Sequence, residues 1–209
     1  MPATIQYPEL CAMLLGAVEQ IRANHEMLSR LDGAIGDGDH GTTILRTMET
    51  VEKTVAEHPT QDFKKLLTAI GWAVMSADGG STGPLLGSFF TGMGDPVAGK
   101  TALDSAGVAA MFEGGLARMQ KISKAQVGDK TMMDALRPAV AALKGPESNI
   151  SVALGIAAAA AAQGAESTKN FRAKFGRAKN LGDRVIGHPD PGAVSISLIF
   201  KGFSEAVPA

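Results

Sequence analysis

The sequence predicts an all-α fold, a bundle of eight antiparallel helices, and three observations carry that expectation. Apolar residues recur at three- and four-residue steps through each long segment, the spacing that lines one face of a helix. Short glycine-bearing turns separate these segments, which favours antiparallel neighbours. No segment shows the period-two alternation of a half-buried strand. The 209 residues suffice for one sizeable core, and no repeat or linker divides them, so a single domain over 1–209 is expected.

Leu10, Leu14, Val18, Ile21, His25 and Leu28 mark the first helix, expected to stop at Asp32-Gly33. His25 on this stripe reads as a core or edge histidine rather than a ligand. Ile44, Met48, Val51 and Val55 mark the second helix, with Arg46, Glu49 and Glu52 on its solvated face. Phe63, Leu66, Ile70, Val74 and Ala77 give the third. The fourth carries Leu85, Phe89 and Met93 and opens with hydroxyls at an N-cap and Pro84 in its first turn. Val108, Met111, Phe112, Gly115, Met119 and Ile122 mark the fifth, and Met133, Leu136, Val140 and Leu143 the sixth. These methionines read as gap-filling core. Ala153 to Ala162 is nearly all alanine, a close-packing helix of high intrinsic propensity. The eighth helix carries Val194, Leu198, Ile199 and Phe203 behind Asp190-Pro191, a helix-start signature.

A net charge of -1 leaves no basic footprint, which argues against nucleic acid as a partner. The single cysteine, Cys11, cannot close an internal disulfide and reads as a small buried hydrophobe, consistent with a reducing compartment. The first residues carry no basic leader, and no apolar run reads as long enough to span a bilayer. A soluble cytoplasmic protein with no membrane partner is expected.

The chemistry concentrates between the first two helices. From Leu31 to Thr43 the chain packs three carboxylates (Asp32, Asp37, Asp39), four glycines and two hydroxyls. Clustered carboxylates repel one another and are costly to desolvate without a cation. Hard oxygens without thiols nearby point to Mg²⁺ or Ca²⁺. Thr42 and Thr43 open the next helix, whose N-terminus favours phosphate. An EF-hand reading fails, because counting from Asp37 puts Gly41 and Met48 where oxygen ligands are required. Gly36 to Gly41 matches G-x-G-x-x-G, but the preceding residues are helical and two carboxylates sit where a pyrophosphate would approach. A capped acidic turn with no ligand is the plain structural alternative.

A second loop, Asp78-Gly79-Gly80-Ser81-Thr82-Gly83-Pro84, offers another anion site or a plain capped turn. Gly94 to Thr101 satisfies the Walker A pattern word for word, yet lacks the leading strand and the later strands a P-loop needs. Lys169, Arg172, Lys174, Arg177, Lys179 and Arg184 form a basic stretch that either reaches phosphate or faces solvent. The polar loops recur after alternate helices, so an up-and-down bundle gathers them into a mouth at one end.

Four motifs in register, Gly36-Asp37-Gly38-Asp39-His40-Gly41-Thr42, Gly79-Gly80-Ser81-Thr82-Gly83-Pro84-Leu85, Gly128-Asp129-Lys130-Thr131-Met132 and Gly187-His188-Pro189-Asp190-Pro191-Gly192-Ala193, resemble those of the nucleotide-binding L subunit of dihydroxyacetone kinases. The resemblance runs nearly end to end. It implies a barrel of eight antiparallel helices, ADP or ATP at one end, and two Mg²⁺ ions on Asp32, Asp37 and Asp39. It further implies that His40, Gly41, Thr42, Thr43, Ser81 and Thr82 cradle the phosphates, while Gly128, Arg177, Asp190, Pro191 and Gly192 border the nucleoside. Thr43 and Thr82 stand where many relatives carry Asn and Ser. The expected function is a phosphoryl-transfer subunit that needs no side-chain nucleophile and works with a separate ketose-binding kinase subunit. The type expected from the resemblance is the one in which a phosphohistidine carrier protein of the phosphoenolpyruvate phosphotransferase system recharges a bound ADP; the alternative is the branch in which ATP is consumed by a triose or tetrulose kinase. A nucleotide-sensing regulatory module is the alternative from another class, and a homo-oligomer stays open.

Overall fold

A computed structural model describes residues 4–77 and 80–207. Among these residues it holds eight α-helices: α1 (Tyr7–Ile35), α2 (His40–Glu57), α3 (Phe63–Ser76), α4 (Thr82–Gly94), α5 (Ser105–Ile122), α6 (Met133–Leu143), α7 (Ile150–Ser167) and α8 (Pro191–Glu205). Two 3-10 helices, Thr168–Asn170 and Arg177–Val185, lie between α7 and α8. Their backbone is tight and was not anticipated. The described residues form no strand, only an isolated bridge between Ile5 and Leu103.

Local sequence sets the helix starts. Asp62 accepts from the Lys65 N–H (3.0 Å), Asp104 from Gly107 (2.8 Å) and Asp190 from Ala193 (2.7 Å), each satisfying a first-turn donor that the helix itself leaves unpaired. α1 runs past Asp32-Gly33 to Ile35, a correction to the expected stop. The Gly36 N–H closes its last turn on the Asp32 carbonyl at 2.5 Å, so Asp32 sits inside the helix rather than in the loop.

Each helix packs on the next and α8 packs back on α1, closing a ring. Small residues make the close crossings possible. A Cβ on Gly16 would stand 2.6 Å from the Gly202 carbonyl where α1 meets α8, and one on Gly87 the same distance from the Gly71 carbonyl where α4 meets α3. Inside the ring, Phe112 stacks at tilted angles on Phe200 (5.3 Å between centroids) and Phe203 (5.5 Å). Met111, Met119 and Met133 are buried core, as their helical spacing implied. His25 is only half-buried, its Nδ1 2.8 Å from the Arg22 carbonyl.

The stretch Ile150–Asn170 is long and apolar enough by length and composition to cross a membrane, which corrects the expectation that no run would be. Here α7 buries Ala153, Leu154, Ala157 and Ala161 against the rest of the ring, packing on α6 and α8, so its apolarity has a partner within the fold.

Candidate functional site

Alternation of direction puts the starts of α2, α4, α6 and α8 at one end. Their first residues, His40, Thr82, Met133 and Pro191, line one cavity of about 1080 Å³ together with the loops that precede them. Four helix N-termini meeting at a common space bring the positive ends of four dipoles to it, an environment that favours an anion. Ser81 at the α4 N-cap and Asp39 at the α2 N-cap make no side-chain capping bond.

Against this positive field stand three carboxylates. Ligand atoms of Asp32, Asp37 and Asp39 lie within 4.8 Å of one another at the cavity wall. The loop geometry depends on two glycines: Gly38 holds φ +81°, and a Cβ on Gly36 would overlap the Asp32 carboxylate. Gly41 lets α2 approach α1, since any side chain there would overlap the His25 carbonyl. The His40 N–H then donates to Asp32 Oδ2 at 3.2 Å. A divalent cation fits this set of hard oxygen donors. In this structure the Arg177 guanidinium supplies the positive charge, paired with Asp37 and lying 3.6 Å from Asp39 Oδ2.

His40 is positioned from the opposite side. Its Nε2 lies 2.8 Å from Ser195 Oγ, and Ser195 donates its own proton to the Pro191 carbonyl at 3.0 Å. Nε2 is therefore the donor in that pair, which leaves Nδ1 as the acceptor of a neutral ring. Burial pushes the imidazole below its ordinary value, with Asp32 and Asp39 pulling the other way.

The floor is a buried ionic group. Lys130, 2% exposed and at φ +59°, donates to the carbonyls of Thr168 (2.6 Å) and His188 (2.5 Å). Burial lowers its pKa, and Asp190 and Asp134 oppose that shift. Asp134 accepts from the N–H groups of Gly128 (2.6 Å) and Thr131 (2.7 Å), fixing the turn that carries Lys130. Asp190 caps α8, and burial pushes its carboxyl up to about 7, the Ala193 N–H and Lys130 holding it lower than burial alone would.

The DAK2 domain family matches residues 34–205. The chain belongs to the DAK2 domain family. Across 187 residues it is 38% identical to the PEP-dependent dihydroxyacetone kinase 1, ADP-binding subunit DhaL, of Listeria innocua, with 90% of each chain covered. The triokinase/FMN cyclase of Homo sapiens is 37% identical over 202 residues, which is 95% of this chain and 34% of that one. In structure, the dihydroxyacetone kinase from C. freundii in complex with AMP-PNP and Mg2+ is similar with a TM-score of 0.76 at 27% identity, over 98% of this chain and 35% of that chain.

In this DAK2 domain Asp32, Asp37, Asp39, His40, Thr43, Ser81, Thr82, Arg177, Asp190, Pro191 and Gly192 all line the cavity. Gly41, Thr42 and Gly128 do not. Gly41 is buried against α1, Thr42 faces solvent, and Gly128 at φ +95° gives its N–H to Asp134. Asp78 and Gly79 of the second motif lie outside the described residues. The basic stretch splits: Arg177 reaches the carboxylates, Lys174 pairs with the buried Asp129 at 2.6 Å, and Arg172 pairs with Asp183 on the surface. Lys100 of the Walker-like segment is exposed in the α4–α5 connection, beside the Ile5–Leu103 bridge at the start of α1. That is the far end of a 29-residue helix, roughly 40 Å from the cavity at 1.5 Å per residue. Three site residues escaped the sequence reading. Ser195 lies in an apolar stripe, Lys130 reads as a turn lysine, and Phe175, lining the cavity at its rim, sits in a charge-rich stretch.

Proposed function

We propose that this protein is the Mg²⁺-dependent, ADP- or ATP-binding phosphoryl-transfer subunit of a dihydroxyacetone or related ketose kinase, of the phosphoenolpyruvate-dependent type. One observation carries the reading: a three-carboxylate cluster and the first residues of four helices line a single cavity. That pairing suits a polyphosphate bridged to protein through divalent metal. The match to a DhaL subunit over 90% of both chains supports the assignment to a kinase subunit, and the words PEP-dependent in that relative's name support the donor.

On this reading Asp32, Asp37 and Asp39 hold two Mg²⁺ ions. Metal held by these carboxylates would supply positive charge to offset that of the phosphates during phosphoryl transfer. The N-terminal turns of α2 and α4, with His40, Thr43, Ser81 and Thr82, orient the phosphates through N–H and hydroxyl donors. His40, neutral and fixed by Ser195, adds no competing charge. The Asp190-Pro191-Gly192 turn and Lys130 form the wall beneath the nucleoside. No side chain acts as a nucleophile. The apolar interior of the ring is filled, so the ketose is presented by a separate subunit docked over the mouth, and a phosphohistidine carrier recharges the ADP between turnovers.

The test is turnover of dihydroxyacetone by the purified chain with ATP or with a phosphohistidine carrier, first alone and then with a ketose-binding subunit. Activity is expected only with that subunit and the carrier. Robust turnover by the chain alone removes the half-enzyme reading, and turnover sustained by ATP alone in the presence of the second subunit removes the carrier.

A further inference from the structure

The segment from Thr168 to Asp190, which includes both 3-10 helices, is built as a strap with a fixed neck and a weakly held tip. At the neck, the Gly187 N–H donates to the Lys169 carbonyl (2.8 Å), the Asp190 N–H to Thr168 Oγ1 (2.8 Å), and Lys130 ties the Thr168 and His188 carbonyls together. Further along, the Lys174 N–H donates to the Asp129 carbonyl at 3.1 Å while its ammonium pairs with the Asp129 carboxylate. Beyond that point the strap from Arg177 to Leu181 buries no side chain. Glycines at φ +65° (Gly176) and φ +60° (Gly182) bracket it, two positions whose backbone turns freely where other residues resist. Ala178 and Leu181 are half-buried where the second 3-10 helix packs on α1, and the ion pairs that tie the tip to the acidic loop are those of Arg177, 67% exposed, with Asp37 and Asp39.

Those two carboxylates are the same ones that close with Asp32 into the metal-competent cluster. A guanidinium and a divalent cation cannot both neutralise them at contact distance. Arg177 comes from a distant part of the sequence and sits on the strap, so the exchange moves a backbone segment as well as a charge.

We infer that Arg177 is the resident counter-ion of the acidic cluster, that a divalent cation displaces it, and that this displacement releases the Gly176–Gly182 tip of the strap from the cavity mouth. Metal loading and the closed strap are then mutually exclusive, and the freed guanidinium is available to an anion arriving with or after the metal. The inference rests on reading the three carboxylates as a metal site.

The experiment uses the full chain without nucleotide and Mn²⁺ as the probe, followed by paramagnetic resonance of the free ion. Arg177→Gln removes the competitor without its charge being replaced. It is expected to bind Mn²⁺ roughly two- to fivefold more tightly than the unaltered chain, the range an exposed ion pair is worth. Arg172→Gln, which breaks a surface pair on the same strap, leaves Mn²⁺ affinity unchanged. In parallel, Mn²⁺ is expected to accelerate tryptic cleavage after Lys179 in the unaltered chain, whereas Arg177→Gln is cleaved fast with or without metal. Equal Mn²⁺ affinity in the unaltered chain and Arg177→Gln, or cleavage that Mn²⁺ leaves unchanged or slows, overturns the exchange while the metal site stands. No Mn²⁺ binding in any of the three proteins overturns the exchange and the metal reading together.

Discussion

Replacing Lys130 by methionine tests the floor of the site, because the ammonium does two jobs that can be separated by pH. It satisfies the carbonyls of Thr168 and His188, and it faces the carboxyl of Asp190. The first job is independent of pH. A buried carbonyl left unpaired costs about 1–3 kcal/mol, and only the Thr168 carbonyl is fully enclosed, so this part is worth roughly 1–2 kcal/mol after the gain from burying methionine. The second job depends on the charge of Asp190. Its carboxyl is raised from 3.8 to about 7 in the folded chain, so it is neutral well below 7 and ionised well above it. Stability referable to Asp190 is therefore lost as pH rises from 3.8 towards 7, and Lys130 limits that loss only where Asp190 is ionised. Lys130→Met is expected to destabilise by about 3 kcal/mol above pH 7, roughly 6–12 °C in Tm for a chain of this size, and by about half as much in the acid range. Thermal melts followed by circular dichroism on both sides of pH 7 read this directly. A loss below about 1 kcal/mol that does not change with pH refutes the argument.

Asp190→Asn keeps a cap acceptor for the Ala193 N–H but removes the ionisation, so the fall in stability between pH 3.8 and about 7 should flatten. The shift caps the gain on the alkaline side at about 4 kcal/mol, and an unflattened profile in denaturant titrations would place the titration elsewhere. Gly41→Ala forces α2 off α1, because the added carbon overlaps the His25 carbonyl and lies 2.7 Å from the Ser29 nitrogen. A loss of about 1–3 kcal/mol in urea unfolding is expected, along with weaker Mg-dependent ADP binding through displaced Asp39 and His40, and an unchanged variant would show the crossing to be loose. Lys100→Ala should leave nucleotide affinity unaltered in calorimetry, since the residue is exposed at the far end of the ring. A tenfold loss, ~1.4 kcal/mol, would bring the P-loop reading back.

The helices were legible because burying one face of a ring imposes a 3.6-residue period, and that period survives in Ile44, Met48, Val51 and in Phe63, Leu66, Ile70. The gathering of the polar loops at one end followed from alternation alone. The end of α1 was not legible, because Asp32-Gly33 carries ordinary stop residues while the actual stop is set by Gly36, whose N–H reaches back to Asp32. The 3-10 turns and the role of Arg177 were not legible either. The partners of Arg177 are Asp37 and Asp39, far away in sequence, and a basic stretch looks alike whether it faces water or carboxylates. Lys130 escaped for a similar reason. Its partners are backbone carbonyls, which no side-chain pattern announces, although a lysine between two aspartates at 129 and 134 in a glycine turn was a signal of a compensated buried charge.

The most direct measurement of the central claim is calorimetric titration of ADP into the unaltered chain and into Asp37→Asn, each with and without Mg²⁺. The account predicts tight binding by the unaltered chain only when Mg²⁺ is present, loss of that metal-dependent binding in Asp37→Asn, and the same far-UV helical signal in both proteins. Mg-dependent ADP affinity equal in the two would contradict it.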